Sequence, residues 1–199
     1  MIQLFNGINA LRQHVTDDVR IHGIITDGGT ASNIVPERAT GHFAVRAPHK
    51  DGLHLLKRRV EECFRAGALA SGAEVAIEWE EIEYFDLIAN TPLMQAYRAN
   101  AETLGRRFRE IDTLPQGQAS STDMGNVSHL APTIHPMIAA VPQGVAFHTT
   151  DFAKWSGSEM GRRAMIDGAK AMAMTAVDVL QDETLRAAMA ADFEAKVGG

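Results

Sequence analysis

The stretch Val19-Arg20-Ile21-His22-Gly23-Ile24-Ile25-Thr26-Asp27-Gly28-Gly29 decides the fold. Residues 19–26 are rich in β-branched side chains, which suit a pleated, half-buried backbone. Asp27-Gly28-Gly29 is turn chemistry. A strand ending in a turn is therefore predicted. The polar run Thr30 to Asn33 leads to Ile34-Val35-Pro36, and a second strand is expected from about Arg38 to Ala47, closed by Pro48. Alternation puts Phe43 and Val45 on one side of it, and His42, Ala44 and Arg46 on the other.

Working outward, Leu4, Ile8, Leu11 and Val15 recur at helical spacing, which predicts an amphipathic helix with no start signal before it. Downstream, Leu53, Leu56, Val60, Phe64 and Leu69 mark a helix from about His49 to Ser71, stopped by Gly72. Glu74 to Ile82 then alternates, with Val75, Ile77 and Trp79 inward and Glu74, Glu78 and Glu80 outward. This predicts a strand with a solvated face. The order through residue 85 is helix–strand–strand–helix–strand. One more strand in front would make it the split βαβ, ferredoxin-like order, so the expected fold class is α/β (α+β).

A second region, 86–199, opens at Asn90-Thr91-Pro92, where Thr91 is expected as helix cap and Pro92 in the first turn. That helix should run to about Gly105. Residues 106–120 look like short-strand and loop material, Ser120-Ser121-Thr122-Asp123 like a turn or helix entry, and Thr133 to Val141 like a strand. A long helix is expected from about Ser158 to Leu180, lined by Met165, Ala169, Met172, Ala176 and Val179. A last helix should span about Glu183 to Lys196.

Composition narrows the function. The 199 residues include 25 acidic and 19 basic ones, a net charge of −6, which disfavours a phosphate-binding chain and so a nucleic-acid partner. Cys63 is the single cysteine, so no internal disulfide argues for an oxidising compartment. There is no signal-peptide pattern and no apolar run near the ~20 residues of a membrane span. A cytoplasmic protein is expected.

The candidate chemical residues each have an ordinary alternative. His22 could be a half-buried strand histidine with one satisfied nitrogen, or a donor aimed at a developing oxyanion. Asn33 could make a turn hydrogen bond. Arg46 could be a surface charge, or a fork for a carboxylate. Asp123 could cap a helix. His148 could be a loop histidine bonded to its neighbours, or a ligand held at a rim by rigid elements. No His-Glu-x-x-His or Cys-x-x-Cys spacing marks a metal site within the chain.

Taken together, the segments resemble a known family. Ile21-His22-Gly23-Ile24-Ile25-Thr26-Asp27-Gly28-Gly29, Asn33-Ile34-Val35-Pro36 and Phe43-Ala44-Val45-Arg46-Ala47-Pro48 look like the lid (dimerisation) domain of the aminoacylase and carboxypeptidase G type of di-zinc metallopeptidases. Ser121-Thr122-Asp123-Met124-Gly125-Asn126-Val127-Ser128, Pro132-Thr133-Ile134-His135-Pro136 and Phe147-His148-Thr149 look like the end of its catalytic domain. The subgroup most resembled is that of the Xaa-Arg (β-alanyl-lysine) dipeptidase-like amidohydrolases.

The resemblance implies a lid domain at 1–85 lacking its first strand, and a C-terminal catalytic segment at 86–199. The family's His-x-Asp metal motif, bridging aspartate and Glu-Glu general base would lie upstream of this sequence. His148 would be one metal ligand, and His22 would stabilise the tetrahedral oxyanion in a partner subunit. Asn33 and Arg46 would hold the substrate carboxylate, while Asp123 and Gly125 would line the pocket. The implied reaction is amide hydrolysis of a dipeptide or N-acyl amino acid by a homodimer using two zinc (or other divalent) ions. The isolated chain would be inactive. The rivals are a non-catalytic dimerisation module and one half of a split enzyme.

Overall fold

The computed structural model describes residues 1–108 and 122–198. The chain divides into two units, Met1–Asp86 and Leu87–Gly199. The expectations placed on 109–121 lie outside the described residues.

In the first unit, α1 (Ile2–Leu11) buries Leu4, Ile8 and Leu11 and runs into a single 3-10 turn, Arg12–His14. Strands β1 (Arg20–Asp27) and β2 (Thr40–Arg46) pair antiparallel, with an irregularity between Ile25 and Asp27. Helix α2 (Lys50–Ser71) buries Leu56, Val60 and Phe64, one turn apart. It ends as expected at Gly72, whose φ of 64° suits a residue without Cβ. Ala73 N–H then donates to Ala68 O at 3.0 Å, satisfying a terminal carbonyl.

The core lies between the helices and one face of the hairpin. Ile21 is buried there, and Phe43 and Val45 pack against it. The Phe43 ring stands 5.1 Å from that of Phe5 and 4.9 Å from that of Phe64. Gly23, the ladder partner of Phe43, makes room for that ring: a Cβ on Gly23 would lie 2.3 Å from it.

One expected strand does not pair. Glu74–Ile82 keeps its alternation, with Val75, Ile77 and Trp79 against the core. It forms no ladder, and its backbone makes no hydrogen bond among the described residues. A strand is defined by a neighbour, and β1 and β2 pair only with each other.

The second unit is helical: α3 (Thr91–Thr103), α4 (Met124–Ser128), α5 (Thr150–Ser156), α6 (Glu159–Gln181) and α7 (Glu183–Val197). The cap of α3 is Asn90 rather than Thr91. Its side chain accepts from Leu93 N–H at 3.2 Å and donates to Met189 O at 2.9 Å, which ties α3 to α7. Thr133–Val141, expected as a strand, contributes only an isolated bridge, Ala89 to Thr133.

The buried face of α6 also differs from expectation. Gly161, Ala164, Gly168, Ala171 and Thr175 face inward, while Met165 and Met172 are 64% and 58% exposed. Small residues allow close approach to neighbouring backbone: a Cβ on Gly161 would sit 2.1 Å from Ser156 O. The overall class is thus α+β, mixed helices with a small two-stranded sheet among the described residues. No helix among them is long and apolar enough to cross a membrane.

Candidate functional site

The β1–β2 hairpin sorts its side chains by parity. Ile21, Phe43 and Val45 turn to the core, so His22 and Arg46 rise together from the opposite, open face. His22 pairs with Ala44 and Arg46 with Arg20, which makes His22 and Arg46 diagonal neighbours. Both are exposed, and neither side chain has a hydrogen-bond partner among the described residues. The ordinary alternative for His22, half-buried with one satisfied nitrogen, is therefore not what the structure holds.

Asn33 lies in the loop that joins the strands. Asp27 Oδ1 accepts from Gly29 N–H at 3.0 Å, and Ile34 N–H donates to Ala31 O at 3.2 Å, so the loop is folded on itself. The Asn33 amide takes no part in those turns and is exposed. Arg46 is at the other end of β2 from this loop, roughly 20 Å along the strand at ~3.4 Å per residue. The ladder thus joins His22 with Arg46, and does not by itself bring Asn33 to them.

In the second unit, His148 occupies the left-handed region at φ 61°. Its neighbours on both sides are held by contacts of their own. Thr149 caps α5, accepting from Phe152 N–H at 3.2 Å while donating to Ala146 O at 2.8 Å. The Phe147 ring packs 5.0 Å from that of Phe152. The imidazole between these anchors is exposed and has no hydrogen-bond partner among the described residues. A histidine held at positive φ between fixed neighbours is a strained arrangement that a functional site can explain.

Asp123 is exposed at the start of α4, and its side chain makes no capping bond. Thr122 Oγ1 accepts from Met124 N–H instead, at 3.3 Å. Gly125 is buried, and its carbonyl accepts from Ser128 Oγ at 2.6 Å. An apolar groove of about 450 Å³ in this unit is lined by Leu93, Tyr97, Ile134, Met172, Val179 and Met189, and includes none of the predicted residues.

Two groups escaped the sequence reading. Arg20 is the ladder partner of Arg46, and register was the missing information. On α2, Lys57 donates to Glu83, which His54 also contacts at 3.0 Å, and the Lys57 ammonium sits 4.5 Å from the Trp79 ring centre. The bond from Lys57 chiefly holds the Glu83 carboxyl below its usual range. The Trp79 indole does the same for Glu61. Burial pushes the Cys63 thiol up, as suits an inert cysteine. Among the described residues, no three of His, Cys, Asp and Glu converge to hold a metal ion. One histidine is too few for a catalytic zinc, which takes about three protein ligands.

No family model matches the chain. Comparison with curated proteins first defines a class: this chain is a relative of amide-cleaving hydrolases. It is 22% identical to one of the subunits of p-aminobenzoyl-glutamate hydrolase from Escherichia coli (strain K12), over 90% of this chain and 48% of that protein. Within that class it is similar to the Xaa-Arg dipeptidases. It is 36% identical to those of Mus musculus and Homo sapiens, over 97% of this chain. The chain spans 44% of the length of those two relatives.

Proposed function

We propose that the chain is part of a metal-dependent amidohydrolase or dipeptidase that cleaves the amide bond of a dipeptide or N-acyl amino acid. Residues 1–85 are its lid (dimerisation) domain and 86–199 the C-terminal segment of its catalytic domain. The observation that carries this reading is the 36% identity maintained over 97% of the chain to dipeptidases.

The hairpin supports the roles. On its open face, His22 offers an N–H donor for the oxyanion of the tetrahedral intermediate. Arg46 offers a fork for the substrate's terminal carboxylate; Asn33 is assigned to the same carboxylate and Asp123 and Gly125 to the pocket lining by the family resemblance, not by the hairpin. Each strand of the two-stranded sheet leaves one edge unpaired, which suits pairing across a homodimer axis. His148 is a single metal ligand, and the described residues alone do not fit a two-zinc centre. The metal chemistry and the general base belong to a part of the enzyme outside this chain. The unpaired backbone of Glu74–Ile82 favours such completion over a self-sufficient dimerisation module.

Metal content and activity test this reading. The purified chain, equilibrated with excess zinc and desalted, should retain well below one ion per chain and show no dipeptidase turnover. Joined to or co-expressed with a segment carrying the missing ligands, it should hydrolyse amides, and His22→Ala should remove most of that rate while leaving metal content unchanged. Two zinc ions per isolated chain would refute the reading.

A further inference from the structure

The register sets Arg20 directly opposite Arg46. Opposed side chains in a ladder rise from the same face with Cβ atoms ~4.5–5.5 Å apart, and like charges so placed destabilise the pair. Both arginines are exposed on the face turned away from the core. His22, Ile24, His42 and Ala44 stand beside them on that face; the carboxylate of the paired strands, Asp27, is opposite Thr40 at the far end of the ladder and accepts from Gly29 N–H. This cationic cluster occurs in a chain of net charge −6.

The two guanidinium groups are also arranged differently. Arg20 Nη1 donates to the carbonyls of Asp17 and Val19, the latter at 2.7 Å, which holds the group in place. Its Nε and Nη2 have no partner among the described residues, and neither has any nitrogen of the Arg46 guanidinium. One fixed fork and one free fork therefore share a face at the same end of the hairpin.

We infer that Arg20 and Arg46 bind one carboxylate between them. A carboxylate offers about four lone-pair positions, so it can accept from both forks at once. It turns their repulsion into charge-assisted hydrogen bonds. The inference rests on the reading of Arg46 as a carboxylate-binding residue and adds Arg20 as the second cation, supplied by the ladder itself.

The test uses the 199-residue chain, ¹⁵N-labelled, at low ionic strength. It is titrated with N-acetylglycine and, in parallel, with the neutral N-acetylglycinamide. The acid alone should shift the backbone resonances of Arg20, His22 and Arg46 and the Nε–H resonance of Arg20. Arg20→Gln should weaken the affinity roughly three- to ten-fold, the scale of a screened charge-assisted bond. Arg20→Lys should fall between it and the unaltered chain, and unchanged α1 and α2 resonances report that the variants are folded. If Arg20→Gln binds normally while Arg46→Gln does not, the role of Arg20 is overturned and that of Arg46 stands. If both bind normally, or the unaltered chain shows no acid-dependent shift, the pair and the Arg46 reading fall together. An Arg20 Nε–H resonance that stays still overturns the inference without recourse to any variant.

Discussion

Helices α1 and α2 cross at glycines, and this contact gives a sharp prediction. Gly67 and Gly52 both lie on α2. A glycine inside a helix costs about 0.5–1 kcal/mol relative to alanine, so alanine at either position gains that much from the chain itself. At Gly52 the new Cβ would meet only the Ala47 Cβ, at an ordinary 3.7 Å. At Gly67 it would lie 2.9 Å from Leu4 N and 3.0 Å from Leu4 Cα, backbone atoms that cannot swing aside. Overpacking of that kind costs ~1–3 kcal/mol.

The two variants should therefore move in opposite directions. Gly52→Ala should stabilise the first unit by about 0.5–1 kcal/mol, and Gly67→Ala should destabilise it by up to about 2.5 kcal/mol after the helix gain is subtracted. The assay is urea unfolding followed by Trp79 fluorescence in a Trp155→Phe background. Trp79 packs on this unit's core and donates to Glu61 on α2 at 2.7 Å, so its emission reports the contact between that helix and the core. A Gly67→Ala midpoint at or above that of Gly52→Ala would refute the close crossing.

Asn90 is 2% exposed and serves both α3 and α7. Asn90→Ala removes the cap and strands the Met189 carbonyl, at a cost of about 2–4 kcal/mol from the two effects. It should lower the unfolding midpoint followed by Trp155 and leave that followed by Trp79 unchanged. Glu83 gives a pH dependence. Its folded pKa is depressed, chiefly by Lys57, so its contribution is present above the unfolded carboxylate value of ~4.3 and lost as pH falls through the folded value. Lys57→Met should lower stability at pH 7 and flatten its decline from about pH 5 to 3; a slope equal to that of the unaltered chain would count against the Lys57–Glu83 contact.

Much of the fold can be read from local chemistry. The β-branched run 19–26, the Asp27-Gly28-Gly29 turn and the Gly72 stop act through near neighbours, and those elements stand where expected. What fails depends on distant partners. Glu74–Ile82 has the pattern of a strand, but pattern cannot supply a neighbour. On α6, hydrophobic periodicity selected the stripe of Met165 and Met172, whereas the buried stripe, Gly161 through Thr175, was chosen by how closely other backbone approaches. For the site, alternation alone put Arg46 on the face opposite Phe43. The opposition of Arg20 and Arg46 required the register, which the irregularity near Ile25 and the folded loop determine together.

The outward methionines of α6 have a consequence for oxidative chemistry. A thioether buried in a core is shielded from peroxide, and its conversion to sulfoxide disrupts packing. Met165 and Met172 are exposed residues of a helix whose buried contacts are made by glycine, alanine and threonine. Sulfoxidation there would turn an apolar surface into a polar one and leave the helix seated. A partner seated on that surface would be displaced by oxidant before the unit itself unfolds.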